Sequence, residues 1–193
     1  RARAMNVWDS GADGVYMFNS FDPHAALWRE LGAPKTLAAE DKVYCTGARS
    51  ALGVPPINEW LANGQRFQNR SIVSPERPKA LRPGEPATVE LRVGEEIGEE
   101  SAQGLRLEVR LRLGLEELPD PADFSLKLNG KQLSGGTKSG VWIDYLVDPV
   151  LITKGMNKVE IMLKPESPAK LTLQDLVLWV RYKRSSCKEQ EYK

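Results

Sequence analysis

The stretch that most constrains this chain is Leu105 to Leu113. Leu105, Leu107, Val109, Leu111 and Leu113 alternate there with Arg106, Glu108, Arg110 and Arg112. A period of two places the aliphatics on one face of an extended chain and the charges on the other. That pattern predicts a β-strand with one face on a core and the other toward water, as in an antiparallel sheet.

The same reading extends along most of the C-terminal half. Val89, Leu91 and Val93 share a face within 88–93, after a turn at Arg82-Pro83-Gly84-Glu85-Pro86. Residues 94–104 are acidic and contain glycine, so they read as an exposed loop. Phe124, Leu126 and Leu128 alternate and run into Asn129-Gly130, a tight-hairpin signal, with Leu133 on the return. Val141, Ile143, Tyr145 and Val147 alternate with Trp142, Asp144 and Leu146. Val159, Ile161 and Leu163 form a further strand after the turn at 154–157, and Leu171 to Tyr182 the last, before a polar tail. Short strands separated by turns predict a mainly β protein, an antiparallel β-sandwich over 81–183.

The first 45 residues read differently. Residues 1–10 have helical composition and stop at Ser10-Gly11. Residues 13–19 form a short apolar run bounded by turn residues, which predicts a buried strand. Pro23, with Asp22 as N-cap, opens a helix from His24 to Leu31 that Gly32 and Pro34 end. Helix, strand and helix in that order describe the end of an α/β unit whose other strands lie elsewhere. Asp41 to Cys45 reads as a short strand or a helix turn. Residues 46–80 read as irregular connection, with Ile57, Trp60, Leu61 and Phe67 as apolar anchors and Ser74 to Pro78 as an extended linker.

Composition excludes several classes. The chain has 193 residues and a formal net charge of +1, which argues against a nucleic-acid partner. No apolar run reaches the roughly 20 residues that span a bilayer. The two cysteines, Cys45 and Cys187, and the single His24 are far apart, so they form no Cys/His zinc site and no cofactor is expected. A Cys45–Cys187 disulfide and two unrelated thiols both fit the spacing. Asn69-Arg70-Ser71 matches a glycosylation triplet. Gly135-Gly136-Thr137-Lys138 lacks the spacing of a phosphate loop, and His24 has no nucleophile motif to serve. The opening Arg1-Ala2-Arg3-Ala4, without an initiator Met, reads as part of a longer protein.

Two resemblances emerge from these motifs. Residues 3–19, Arg-Ala-Met-Asn-Val-Trp-Asp-Ser-Gly-Ala-Asp-Gly-Val-Tyr-Met-Phe-Asn, together with Leu27 to Gly32, resemble the last repeat of a bacterial glycoside-hydrolase-like (β/α)8 barrel. The Asn-Gly hairpin, Trp-Ile-Asp-Tyr at 142–145, Lys-Gly-Met-Asn-Lys-Val at 154–159 and the 171–182 strand resemble a galactose-binding-like jelly roll. The resemblance implies a barrel remnant over 1–45, a sandwich over 81–183, and a secreted or periplasmic accessory region. That region would brace the remainder of the barrel and hold carbohydrate. The alternative is a structural or protein-interaction sandwich with no sugar role.

In a barrel, Asn19, Phe21 and Asp22 would stand at the C-terminal end of the strand, where active sites lie, as sugar-binding groups. Equally, Asn19 and Asp22 suit a turn and Phe21 suits packing. Asp9 and Asp13 precede the strand, so no pair of catalytic carboxylates is assigned, and this chain alone is not expected to be catalytic. In the sandwich, Trp142, Asp144 and Trp179 lie opposite the aliphatic sets, as a sugar platform or as packing on a second covered face. Arg106, Arg110 and Arg112 make a basic strip that Glu108 interrupts, read as a solvated sheet face.

Overall fold

A computed structural model describes residues 1–17, 22–46, 73–75, 78–102, 107–167 and 171–182. Asn19, Phe21, Ile57, Trp60, Leu61, Phe67, the triplet at 69–71, Leu105, Arg106 and Cys187 lie outside the described residues.

Among the described residues ten strands build two antiparallel sheets. They are β1 (Lys42–Cys45), β2 (Lys79–Leu81), β3 (Pro86–Val93), β4 (Leu107–Leu115), β5 (Phe124–Leu128), β6 (Lys131–Leu133), β7 (Thr137–Ser139), β8 (Trp142–Val147), β9 (Gly155–Leu163) and β10 (Leu171–Tyr182). The larger sheet runs β1-β10-β4-β8-β7, with β2 pairing the start of β10, and the smaller runs β3-β9-β5-β6. The alternation that marked these segments is the reason they face each other. Val109, Leu111 and Leu113 of β4, Ile143 and Tyr145 of β8, and Leu176, Leu178 and Val180 of β10 are buried from one side. Val89 and Leu91 of β3, Val159 and Ile161 of β9, and Leu126 and Leu128 of β5 meet them from the other, in a single core. The protein is therefore mainly β, a two-sheet sandwich.

The hairpin expected at Asn129-Gly130 forms. Leu128 pairs with Lys131, and the two turn residues take φ of 49° and 81°. Both values lie in the left-handed region, which a two-residue hairpin of this kind requires.

Four expectations change. Residues 94–102, the described part of the segment read as an exposed loop, are not one. They carry a helix, α4 (Ile97–Ala102), after Gly94 and Glu95, which with Ile97 are buried. Ile97 sits in the main core, and that burial turns the segment inward. Val141 does not continue the β8 alternation; it sits in the turn before the strand and is largely exposed. Residues 13–17 form no strand, because among the described residues no strand lies alongside to take their N–H and C=O groups. The helix expected over 24–31 is a single turn, α2 (Leu27–Glu30), followed by another, α3 (Pro34–Leu37).

The N-terminal segment is nonetheless built into the sandwich. Helix α1 (Ala2–Asp9) buries Ala4 and Met5 against Leu37, with Trp8, Val15 and Leu31 around them. Further contacts reach β3 and the turn before β9. Asn6 Nδ2 donates to the Arg92 carbonyl at 3.1 Å, and Asp9 pairs with Arg92 at 2.7 Å and Lys154 at 3.3 Å. A Cβ placed on Gly94 would meet the Met5 carbonyl carbon and oxygen at 2.7 Å, so the helix backbone lies on a residue with no side chain. β1 then joins the larger sheet beside β10. Ser74, read as the start of the linker, and Val73 before it are buried, and Thr46 Oγ1 donates to the Val73 carbonyl at 3.3 Å.

Candidate functional site

Arg112 occupies the middle of the outward face of the larger sheet. Register places it opposite Asp144 on β8 and Val177 on β10. Its Nε donates to Asp144 Oδ1 at 2.7 Å, and both residues are buried. The guanidinium lies 4.1 Å from the ring centre of Trp179 and 5.2 Å from that of Trp142, within cation–π reach of both. Arg181 lies 4.8 Å from the Trp179 ring. Trp142, Arg112, Trp179 and Arg181 thus form a diagonal ladder across three strands, indole and guanidinium in turn.

Two features of the strands build this ladder. A bulge in β10 between Leu173 and Asp175 resets its alternation. After it, Leu176, Leu178 and Val180 face the core while Val177, Trp179 and Arg181 face outward. Gly114 supplies the second. It pairs with Trp142, and a Cβ there would lie 3.0 Å from Cζ3 of that indole and 3.3 Å from Cη2. The missing side chain lets the Trp142 ring lie over β4.

Trp142, Asp144 and Trp179 therefore share one face, gathered by Arg112. Both indoles are partly exposed, and Leu146 and Val43 stand open beside them. Arg112 was read from sequence as a solvated charge. It is buried because two indoles flank it and a carboxylate answers it. Its pairing with Asp144 follows from setting the 107–115 and 142–147 strands side by side, a step that periodicity within one strand does not supply. Asp22 makes its bonds locally. Its carboxylate accepts from the His24 N–H at 2.9 Å, and its carbonyl accepts from Trp28 Nε1 at 2.6 Å, which is turn chemistry.

A second constellation went unread in the sequence. Lys42 Nζ lies 2.8 Å from Glu95 Oε2, Tyr44 donates its hydroxyl to Glu95 Oε1 at 2.7 Å, and Tyr182 donates to Glu100 and, at 3.4 Å, to Glu95. Burial raises Glu95 above the usual carboxylate range, against the opposing pull of Lys42 and Tyr44. Burial and the Glu95 carboxylate push the Tyr44 hydroxyl far above the ordinary range; burial and the Glu100 bond do the same for Tyr182. These groups close on one another between β1, β10 and α4. Their arrangement pins elements together rather than opening to a substrate.

A cavity of 390 Å³ lies between α1 and β1, with Arg3, Asn6, Cys45, Ser74 and Asp175 among its lining. Asn6 Oδ1 is buried without a hydrogen-bond partner among the described residues. Among the described residues no three His, Cys, Asp or Glu side chains gather as metal ligands, and no helix is long and apolar enough to cross a membrane.

Fold and face together define an antiparallel β-sandwich module with an aromatic–guanidinium surface on its larger sheet. No protein-family model matches the chain, and no curated protein does. Among solved structures, BpGH86A, a beta-porphyranase of glycoside hydrolase family 86 from the human gut bacterium Bacteroides plebeius, is similar with a TM-score of 0.41 and 13% identity, over 75% of this chain and 21% of that one. The chain thus spans about a fifth of the length of that protein.

Proposed function

We propose that the chain is the C-terminal accessory portion of a glycoside-hydrolase-like protein, secreted or periplasmic. Its sandwich, of galactose-binding-like jelly-roll type, braces a preceding barrel and takes carbohydrate on the outward face of the larger sheet. The observation that carries this reading is the way residues 1–17 and 22–46 are tied in. A helix, an edge strand and a buried Lys42–Glu95 pair attach the segment that resembles a barrel repeat to the sandwich at several independent points. A domain continuing from that segment would inherit a fixed orientation. Carbohydrate binding draws support from Trp142, whose ring lies over Gly114 and is partly exposed, with Arg112 and Asp144 beside it. Asn19, Phe21 and Asp22 remain candidates for sugar contact at the barrel end.

A second reading, a protein-interaction sandwich, is favoured by one feature. Two guanidinium groups, Arg112 of β4 and Arg181 of β10, lie within cation–π reach of Trp179, and tryptophan and arginine are enriched among the residues that anchor protein interfaces. A glycan array with the intact chain, Trp142→Ala and Trp179→Ala separates the two. Sugar binding lost in the Trp142 variant supports the first; no binding by the folded chain supports the second.

A further inference from the structure

We propose that Arg112 and Asp144, set between the Trp142 and Trp179 indoles, bind an uncharged pyranose through a neighbouring pair of its hydroxyls. This rests on the carbohydrate reading above and deepens it, naming the contact groups and the charge class. The charges on the outward face balance. Arg112 is answered by Asp144 and Arg110 by Glu108, each at 2.7 Å. Arg181 stands opposite Glu108 in the β4–β10 register, and Asp175 is level with Trp142 across Gly114. Such a face is complementary to a ligand without net charge.

What the face offers is open polar groups beside aromatic rings. Arg1 grips Glu30 with both Nε and Nη2, each at 2.8 Å, whereas Arg112 reaches Asp144 through Nε alone. Its two Nη groups and Asp144 Oδ2 make no further hydrogen bond among the described residues. Trp8 and Trp28 donate their indole N–H to the Leu31 and Asp22 carbonyls, while Trp142 and Trp179 donate theirs to nothing among the described residues. Arg112 is only 8% exposed and Asp144 only 6%. Asn6 Oδ1 is nevertheless the one side-chain polar atom among the described residues that is fully buried and unpartnered, so these open groups reach solvent. A pyranose matches the set. Its ring faces carry C–H groups that lie on indole, and its rim carries hydroxyls, each both donor and acceptor. Two hydroxyls on neighbouring carbons supply at once a donor for Asp144 Oδ2 and acceptors for the Arg112 Nη groups. A peptide added as a strand needs a free sheet edge instead, and both residues lie on interior strands, β4 between β10 and β8, and β8 between β4 and β7.

The test is affinity electrophoresis of the full chain, at low and high salt, through gels containing dextran, galactomannan, laminarin or polygalacturonate. Laminarin is the internal control, because its chain residues are linked so that no two free hydroxyls sit on neighbouring carbons. Expected results are retardation by dextran or galactomannan that salt does not weaken, and little by laminarin. Retardation should vanish once periodate has cleaved the neighbouring hydroxyl pairs of the retained polysaccharide and borohydride has reduced the products. Asp144→Asn keeps an acceptor for Arg112 Nε but puts an amide where Oδ2 stood, and should bind about tenfold more weakly. Trp142→Phe should also weaken binding, with unfolding midpoints of both variants checked. Retardation that survives periodate, that is as strong in laminarin, or that either folded variant leaves unchanged overturns the assignment and keeps the carbohydrate reading. So does retardation by polygalacturonate alone that fades as salt rises. If Asp144→Asn does not fold, the periodate comparison and Trp142→Phe decide. No retardation in any of the four gels overturns the assignment, and no binding on a glycan array as well overturns the carbohydrate reading with it.

Discussion

Lys42 and Glu95 meet at 2.8 Å with both side chains out of water, and they join an edge strand to the segment leading into α4. An exposed pair such as Arg82–Glu85, at 3.6 Å, is worth ~0–1 kcal/mol. Removing one partner of a buried pair costs ~3–5 kcal/mol, because the other is left uncompensated.

Lys42→Met should therefore destabilise the protein by about 3 kcal/mol in urea titration at pH 8. The loss should be smaller at pH 5. Burial already raises Glu95, and without Lys42 only the Tyr44 hydrogen bond opposes that shift. A carboxyl raised above its unfolded value adds stability while it holds its proton and loses it as pH rises through the folded value. Equal losses at both pH values would remove this account.

Gly94→Ala tests the docking of α1. With Met5 backbone atoms 2.7 Å from the new methyl, the helix must move, at a cost of ~1–3 kcal/mol. Hydrogen exchange should rise over 2–9 and stay unchanged over β4 and β8. Unaltered protection in α1 would show that the helix does not rest on this residue.

Arg112→Leu leaves Asp144 buried without its partner and takes the cation from between two indoles. A loss of ~3–5 kcal/mol is expected, whereas Arg112→Leu with Asp144→Leu should recover most of it. Urea midpoints of both single variants and the double variant measure the coupling. Additive losses would mean that the pair does not act as one unit.

Stability should fall in alkali. Tyr145 is pushed up to about 12 by burial, and Tyr44 and Tyr182 go further in the same direction. A group whose folded value is raised keeps its contribution below its unfolded value, about 10 for tyrosine, and loses it as pH climbs beyond. Absorbance titration should show these three of the five tyrosines ionising only together with unfolding. Reversible ionisation of all five near pH 10 in the folded protein would contradict the burial argument.

The two-sheet core was legible because each strand declares its own inward face. Val159, Ile161 and Leu163, or Leu126 and Leu128, need no partner to show their period. Asn129-Gly130 was legible for a similar local reason, since few residues accept its backbone angles. The segment at 94–104 was misread because its charges outnumber its core residue, and Ile97 shows its burial only once a core exists to receive it. Residues 13–17 look apolar enough for a strand, but a strand also needs a neighbour, and composition does not report one.

The candidate face was half legible. Outward placement of Trp142, Asp144 and Trp179 follows from alternation. Their assembly around Arg112 does not, because it depends on β4 lying between β8 and β10. The sequence by itself determined which residues face inward, where the chain turns and that the protein is mainly β, since those follow from side-chain period and local backbone preference. Only the tertiary structure decided which strands are neighbours, that the β10 bulge resets its faces, that a helix backbone rests on Gly94, and that Lys42 finds Glu95. Those are contacts between residues distant in the chain, and no local preference encodes which distant group will close the gap.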